Sequence, residues 1–433
     1  MPDPTLRRRQ IVVVALLFGG YASLYFCRAD LSVATPMLVE ELRSKGMTQD
    51  EAIVRMGTIA SLGVLGYAVG KLFLGGLGDY WGGRVNFLIG LAGATVFTVL
   101  FAATGFIPIF TLAWVGNRLT QSLSWAGLIK VSSQWFNFTS YGTVVGILSL
   151  SYLVGDALAR QLMGMLIHRG FGWRALFYFA AAVAATFLLT SFLFLRESRA
   201  ALGFGEARTN PLNVFAKSES RPASVGALLR PLFTSRAFQM VCGLSFACTI
   251  IRETFNFWTP VYLRDYLGYN AGNAAGLSAI FPGVGAVSVL LIGWLSDRLG
   301  VNGRALLMTV GLSAATAALL GLMSIPSTAG STLLPLLAIG TIAFCLLGPY
   351  SFLGGAFALD FGGKQGSAFA SGMIDGIGYL GGVLAGDSVA RISVAYGWQG
   401  VFVSLAVVSA LAAAGSAYLY LLSARTAAIK QTA

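Results

Sequence analysis

Twelve runs of mostly apolar residues, each close to or above the length needed to cross a bilayer, divide the chain almost from end to end. A helical crossing of the hydrocarbon core takes about 20 such residues, and nothing else in the sequence restricts the fold as strongly. Broken at Gly, Pro and charge clusters, hydropathy places the spans near 11–38, 53–77, 84–105, 108–135, 142–167, 174–195, 237–263, 273–295, 304–325, 331–357, 367–390 and 399–423. The expected fold is therefore an all-α membrane protein of twelve transmembrane helices, because a lipid-exposed backbone must satisfy its hydrogen bonds within each segment. Composition agrees: only 11% of the 433 residues are charged, too few to wet a soluble surface, and 30 Phe with 8 Trp exclude a solvated, disordered chain.

The net charge of +12 has two candidate meanings, nucleic acid or membrane topology. The basic residues form no dense patch with interleaved aromatics, so no nucleic-acid partner is expected. With both termini cytoplasmic they are concentrated on the cytoplasmic side, as the positive-inside rule requires. Cys27, Cys242, Cys248 and Cys345 lie in apolar runs without ligand-like spacing, so neither disulfide, metal nor cofactor is expected. The start, Arg7-Arg8-Arg9 before an apolar run, has the look of a signal peptide, but no cleavage pattern closes the run, and it reads as the first span.

A polar stretch, 196–236, carries Pro211, Pro222 and Pro231 and an excess of basic residues. It reads as a cytoplasmic linker between two six-helix bundles, 1–195 and 237–433. The halves repeat. Gly75-Gly76-Leu77-Gly78-Asp79 and Gly293-Trp294-Leu295-Ser296-Asp297 share the pattern G-x-L-[GS]-D at turns between spans, each acid placed to pair with a following base or to cap a helix. Arg28 lies eight residues before Pro36, and Arg252 eight before Pro260. The loop motifs, the spans and the linker together resemble the major facilitator superfamily, which implies two pseudo-symmetric bundles. No enzyme is expected, because the sequence offers no nucleophile-base pair, metal cluster or phosphate-cradling Gly-rich loop in a suitable context.

Charges inside spans are the functional candidates, since each costs about 2.5 to 3.5 kcal/mol at mid-membrane unless it has a partner or a wet cavity. Arg28 and Arg252, equivalent in the repeat, suit an oxyanion gripped by guanidinium forks from both halves. Pairing of Arg28 with Asp30, or of Arg252 with Glu253, is not expected, because neighbours at i+2 and i+1 do not face each other on a helix. Tyr21, Tyr25 and Arg28 share a face; so do Tyr67 and Lys71, Ser149, Tyr152 and Asp156, and Thr249, Arg252 and Asn256. Trp125 stands on the fourth span. Arg118 with the intramembrane acids Asp156 and Asp375 forms a coupling or gating set, to which the turn acids Asp79 and Asp297 are added. The lone His168 reads as interfacial.

These stretches resemble the organophosphate:phosphate antiporters, a family that includes glycerol-3-phosphate and hexose-phosphate transporters. The matching residues are Gly20, Tyr21, Tyr25 and Arg28; Tyr67 and Lys71; Arg252 before Trp258-Thr259-Pro260-Val261-Tyr262-Leu263; and Gly378-Tyr379-Leu380-Gly381-Gly382. The resemblance implies that both arginines bind a phosphoryl group. Three departures stand out: the fourth span keeps Trp125 but lacks the family's Pro-Pro-Cys run, Tyr152 replaces a histidine, and Arg118 stands where phosphate exchangers carry glycine. The expected function is a secondary transporter of a phosphate ester or phosphonate exchanging with inorganic phosphate. The alternatives are a proton-coupled carboxylate or sugar-acid symporter, suggested by Tyr25-x-x-Arg28-x-x-Leu31-Ser32 and Arg118, and a non-transporting sugar-phosphate sensor. A monomer in a bacterial inner membrane is expected.

Overall fold

The computed structural model describes residues 4–74, 81–207, 234–327 and 333–432, and these are helical with no strand among them. In chain order the helices are α1 (Pro4–Ser44), α2 (Gln49–Leu74), α3 (Gly83–Ala103), α4 (Ile107–Trp135), α5 (Phe138–His168) and α6 (Trp173–Phe194). The second set is α7 (Arg236–Val261), the short α8 (Ala271–Leu277), α9 (Ile280–Met323), α10 (Leu333–Tyr350), α11 (Ala358–Leu384) and α12 (Asp387–Thr432).

Eight stretches among the described residues are long and apolar enough to cross a membrane, and one of them, Ala370–Leu422, has 53 residues, enough for two crossings. The other three long helices are α4, α5 and α7, which carry Arg118, the pair Asp156 and Arg160, and the pair Arg252 and Glu253. The twelve-helix architecture expected from hydropathy is thus present. Exposed side chains such as Phe73, Leu112 and Leu411 form the lipid-facing surface such a fold requires.

Two local boundaries differ from those expected. Helix α9 runs unbroken through the Gly293–Gly300 motif, which was expected to be a turn, so two spans are joined in one helix. Helix α12 joins the end of one span to the next and bends at Gly397, whose φ of 68° is open to a residue without Cβ. The repeat is visible inside helices too. Pro36 and Pro260 each sit within α1 and α7, and the preceding Thr35 and Thr259 donate to the i−4 carbonyls of Leu31 and Phe255 at 2.7 and 2.6 Å.

The chain divides into two compact units. One comprises 1–41, 62–213 and 271–279; the other comprises 42–61, 214–270 and 280–433. In the first unit α3 packs on α4 and α6, and its aromatic core stacks Phe101 between Phe110 and Phe177 at 4.5 and 4.6 Å. In the same unit α5 meets α8 closely at Gly164, where an added methyl would fall 2.8 Å from the Gly272 carbonyl. In the second unit α9 packs on α10 and α12, α7 on α11 and α12, and Phe255 stacks on Phe281 at 5.3 Å. Thr58, Ser61 and Asp387 are joined there: Thr58 Oγ1 donates to the Asp387 carboxylate at 2.8 Å, and the Asp387 amide donates to Ser61 Oγ at 2.8 Å. Of the expected linker, residues 208–233 lie outside the described residues.

Candidate functional site

Helix α1 is continuous through Arg28, so the residues one turn back share its face. Arg28 Nη1 donates to the Tyr25 hydroxyl at 3.0 Å, and Arg28 Nε donates to Gln121 Oε1 on α4 at 2.5 Å. The guanidinium lies against two rings, 4.5 Å from the centroid of Tyr25 and 4.5 Å from that of Tyr67 on α2. Tyr67, 1% exposed, also meets Arg118 of α4 at 5.0 Å and Lys71 at 5.6 Å. Three cations from three helices therefore gather around one phenol. The aromatic wall extends through Tyr21 to Trp125, 5.1 Å apart, and from Tyr25 to Tyr152, 5.8 Å apart. Every unit 1 residue expected to bind substrate belongs to this group, and Arg118, expected to act in coupling, joins it.

Gln121 is the member that reading along the sequence missed. Fully buried, it is held by a relay: its Nε2 donates to Asn117 Oδ1 at 2.5 Å, and Asn117 Nδ2 donates to Thr98 Oγ1 at 2.8 Å on α3. The spacing of Asn117 and Gln121, four apart on α4, was the available signal. Asp30 does not pair with Arg28. Its Oδ1 accepts the Leu31 amide at 2.6 Å, it is fully buried, and its other oxygen has no hydrogen-bond partner among the described residues.

In the second unit Arg252 lies 4.6 Å from the ring centroid of Tyr350 on α10 and 5.2 Å from that of Tyr379 on α11. Thr249, one turn back on α7, is 3.2 Å from the Tyr350 hydroxyl. The expectation that Arg252 would not pair with Glu253 is overturned: Nη2 and Nε donate to the same carboxylate oxygen at 2.6 and 3.2 Å. The Cβ directions of adjacent helical residues diverge, but two long side chains bridge that divergence when both are drawn out of lipid. Asn256 is half-buried one turn beyond Arg252.

The Major Facilitator Superfamily profile matches residues 17–386, most of the chain. This chain belongs to the major facilitator superfamily. A probable hexose phosphate transport protein of Chlamydia pneumoniae is 26% identical over 418 residues, covering 92% of this chain and 88% of its own length. The glycerol-3-phosphate transporter of Bacillus subtilis is 23% identical over 412 residues, covering 93% and 90%. Among solved structures, an inward-facing, unoccupied bacterial homologue of the human lysosomal transporter Spinster matches with a TM-score of 0.72, covering 98% of both chains at 16% identity, a likeness of fold. Like its superfamily, the chain is an integral, multi-pass membrane protein, and its relatives are those of the organophosphate:phosphate antiporters.

The acids expected to couple or gate lie in different settings in this facilitator-superfamily chain. Asp156 is bound to Arg160 of the same helix at 2.9 Å, with side chains 9% and 3% exposed, and Arg160 also donates to Ser278 at 3.1 Å. That buried ion pair was missed because Asp156 was read without the base four residues on. Asp375 is half-buried on α11 and packs against Gly354, where an added methyl would fall 2.6 Å from its Oδ1. Asp79 and the Asp297 side chain lie outside the described residues. His168, exposed at the end of α5, is 2.9 Å from Asn273 Oδ1.

Proposed function

We propose that the protein is a secondary transporter that carries a phosphorylated or phosphonylated small organic anion across the membrane in exchange for inorganic phosphate. The observation that carries this reading is the grouping of Arg28, Lys71 and Arg118 around Tyr67 in a chain whose relatives are named as hexose-phosphate and glycerol-3-phosphate transport proteins. A phosphoryl dianion offers several acceptor oxygens, and a planar guanidinium backed by aromatic rings meets two of them at once. Arg252, equivalent in the repeat, engages the same anion. Residues 1–195 and 237–433 act as the two moving halves of a rocker switch, with 196–236 as the linker between them. The carrier works as a monomer in a bacterial inner membrane with both termini cytoplasmic, and no covalent chemistry belongs to the cycle.

The test is counterflow in proteoliposomes loaded with inorganic phosphate, against external phosphate esters, phosphonates and carboxylates. Arg28→Lys and Arg252→Lys each abolish it, because an ammonium cannot reproduce the fork. Wild-type rates in either variant sink the reading. A second reading, proton-coupled carboxylate symport, draws on Arg118 and on Asp30, a fully buried acid with one carboxylate oxygen unpartnered among the described residues. Uptake that ignores internal phosphate but requires a pH gradient selects that reading, and ligand binding without any flux selects a sensor.

A further inference from the structure

Arg252 is not equivalent to Arg28 in its immediate partner. Gln121 and the Tyr25 hydroxyl that hold Arg28 are neutral, whereas Arg252 is met by the carboxylate of Glu253. The repeat explains none of this, since the residue after Arg28 is Ala29. The acid is an addition to one half.

Its position is specific. Glu253 Oε1 takes the hydrogens of both Nε and Nη2, one of the two guanidinium edges on which a phosphoryl group can take a two-oxygen grip. The two anions exclude each other there. The side chains of Arg252 and Glu253 are only 12% and 14% exposed, and the Tyr350 and Tyr379 rings cover the guanidinium further. Stripped of its carboxylate, that cation would be a dry, uncompensated charge, and dry charges are costly. An exchanger depends on this cost: with no anion aboard, uncompensated arginines keep the carrier from completing its cycle, so it returns only when loaded.

We propose that Glu253 is a resident stand-in for the transported anion, neutralising Arg252 when the carrier is empty, so that the carrier also returns unloaded and performs net transport besides exchange. This rests on the reading that Arg252 binds the transported anion. Loading then displaces Glu253 from the guanidinium edge, and unloading restores it. The carboxylate has two effects of opposite sign: it speeds the empty return and competes with substrate.

The experiment uses radiolabelled inorganic phosphate and proteoliposomes at equal pH on both sides, with the membrane potential clamped by potassium and valinomycin. Two assays run in parallel: counterflow into phosphate-loaded vesicles and uptake into vesicles containing no phosphate. Wild type is expected to do both. Glu253→Gln is expected to keep counterflow with a lower half-saturating phosphate concentration, and to lose uptake into empty vesicles by about tenfold or more, the range of one charge-assisted hydrogen bond. Counterflow in wild type without uptake into empty vesicles overturns the proposal while leaving exchange intact. So does uptake that requires a pH gradient, or equal uptake into empty vesicles by Glu253→Gln and wild type. Absence of both fluxes in wild type overturns this proposal and the exchange reading together. Should Glu253→Gln fail to insert, the wild-type pair of assays decides, and Glu253→Asp, which retains the charge, is expected to retain uptake into empty vesicles.

Discussion

Arg28 is aimed by neutral groups. Its Nε is fixed by Gln121, and Gln121 by Asn117 and Thr98, so a chain of four side chains from three helices sets the angle of one guanidinium. Gln121→Leu should therefore act as a positioning lesion, raising the half-saturating anion concentration about ten- to hundredfold, the equivalent of one hydrogen bond to a charged group, with a smaller fall in maximal rate. Saturation curves for counterflow check this, and an unchanged curve removes Gln121 from the argument. Asp156 gives a contrasting case. Losing one partner of a buried pair costs about 3 to 5 kcal/mol, so Asp156→Asn should lower the melting temperature of the purified protein sharply, while replacing Asp156 and Arg160 together by apolar residues should restore much of it. A purely proton-carrying Asp156 would leave the melting temperature of Asp156→Asn near wild type. The sequence exposed Arg28, Lys71 and Arg252 because a charge in an apolar run is conspicuous. It hid what faces them: Gln121 is 93 positions from Arg28, and Glu253 was set aside by a rule about Cβ directions that two long side chains evade.

Helix ends follow a similar logic at the scale of elements. Helix α3 begins at Gly83, and its first amides, those of Gly83 and Arg84, donate to the two oxygens of Glu197 at 2.8 and 2.7 Å. In return Arg84 donates to the carbonyls of Leu195 and Phe192, at the end of α6, both at 2.6 Å. One acid caps a helix start and one base caps a helix end, each favourable to the local dipole. Glu197→Ala should cost about 1 to 2 kcal/mol of stability, read as a lower melting temperature with the helical content of the folded state unchanged. A melting temperature equal to wild type would show that water serves those amides equally well. The sequence left Asp79, which lies outside the described residues, free to pair with a base or to cap a helix; the Glu197 carboxylate that caps α3 comes from beyond α6. Span positions were legible because hydropathy is local. Cap partners are settled by packing between helices, which no local pattern encodes.

At the scale of the whole molecule the repeat can be tested through binding alone. Both halves carry an arginine eight residues before the proline of a Thr-Pro pair, and the proposed function assigns both to one anion. A ligand that binds only the folded state raises stability by RT ln(1 + [L]/Kd), about 2.7 kcal/mol when its concentration is a hundred times Kd. Inorganic phosphate should therefore raise the melting temperature of the detergent-solubilised wild type by a few degrees. If one anion needs both arginines, Arg28→Lys and Arg252→Lys should each remove nearly all of that shift, and the double variant should lose no more than either single one. Two independent anion sites would give a different pattern, with each single variant keeping about half of the shift and only the double variant losing all of it. Glu253→Gln distinguishes itself further: with the resident carboxylate gone from Arg252, the shift at a given phosphate concentration should be larger than in wild type, while the phosphate-free protein melts lower. A Glu253→Gln protein that melts no lower than wild type without phosphate would mean that the carboxylate contributes nothing to holding Arg252 in the empty molecule.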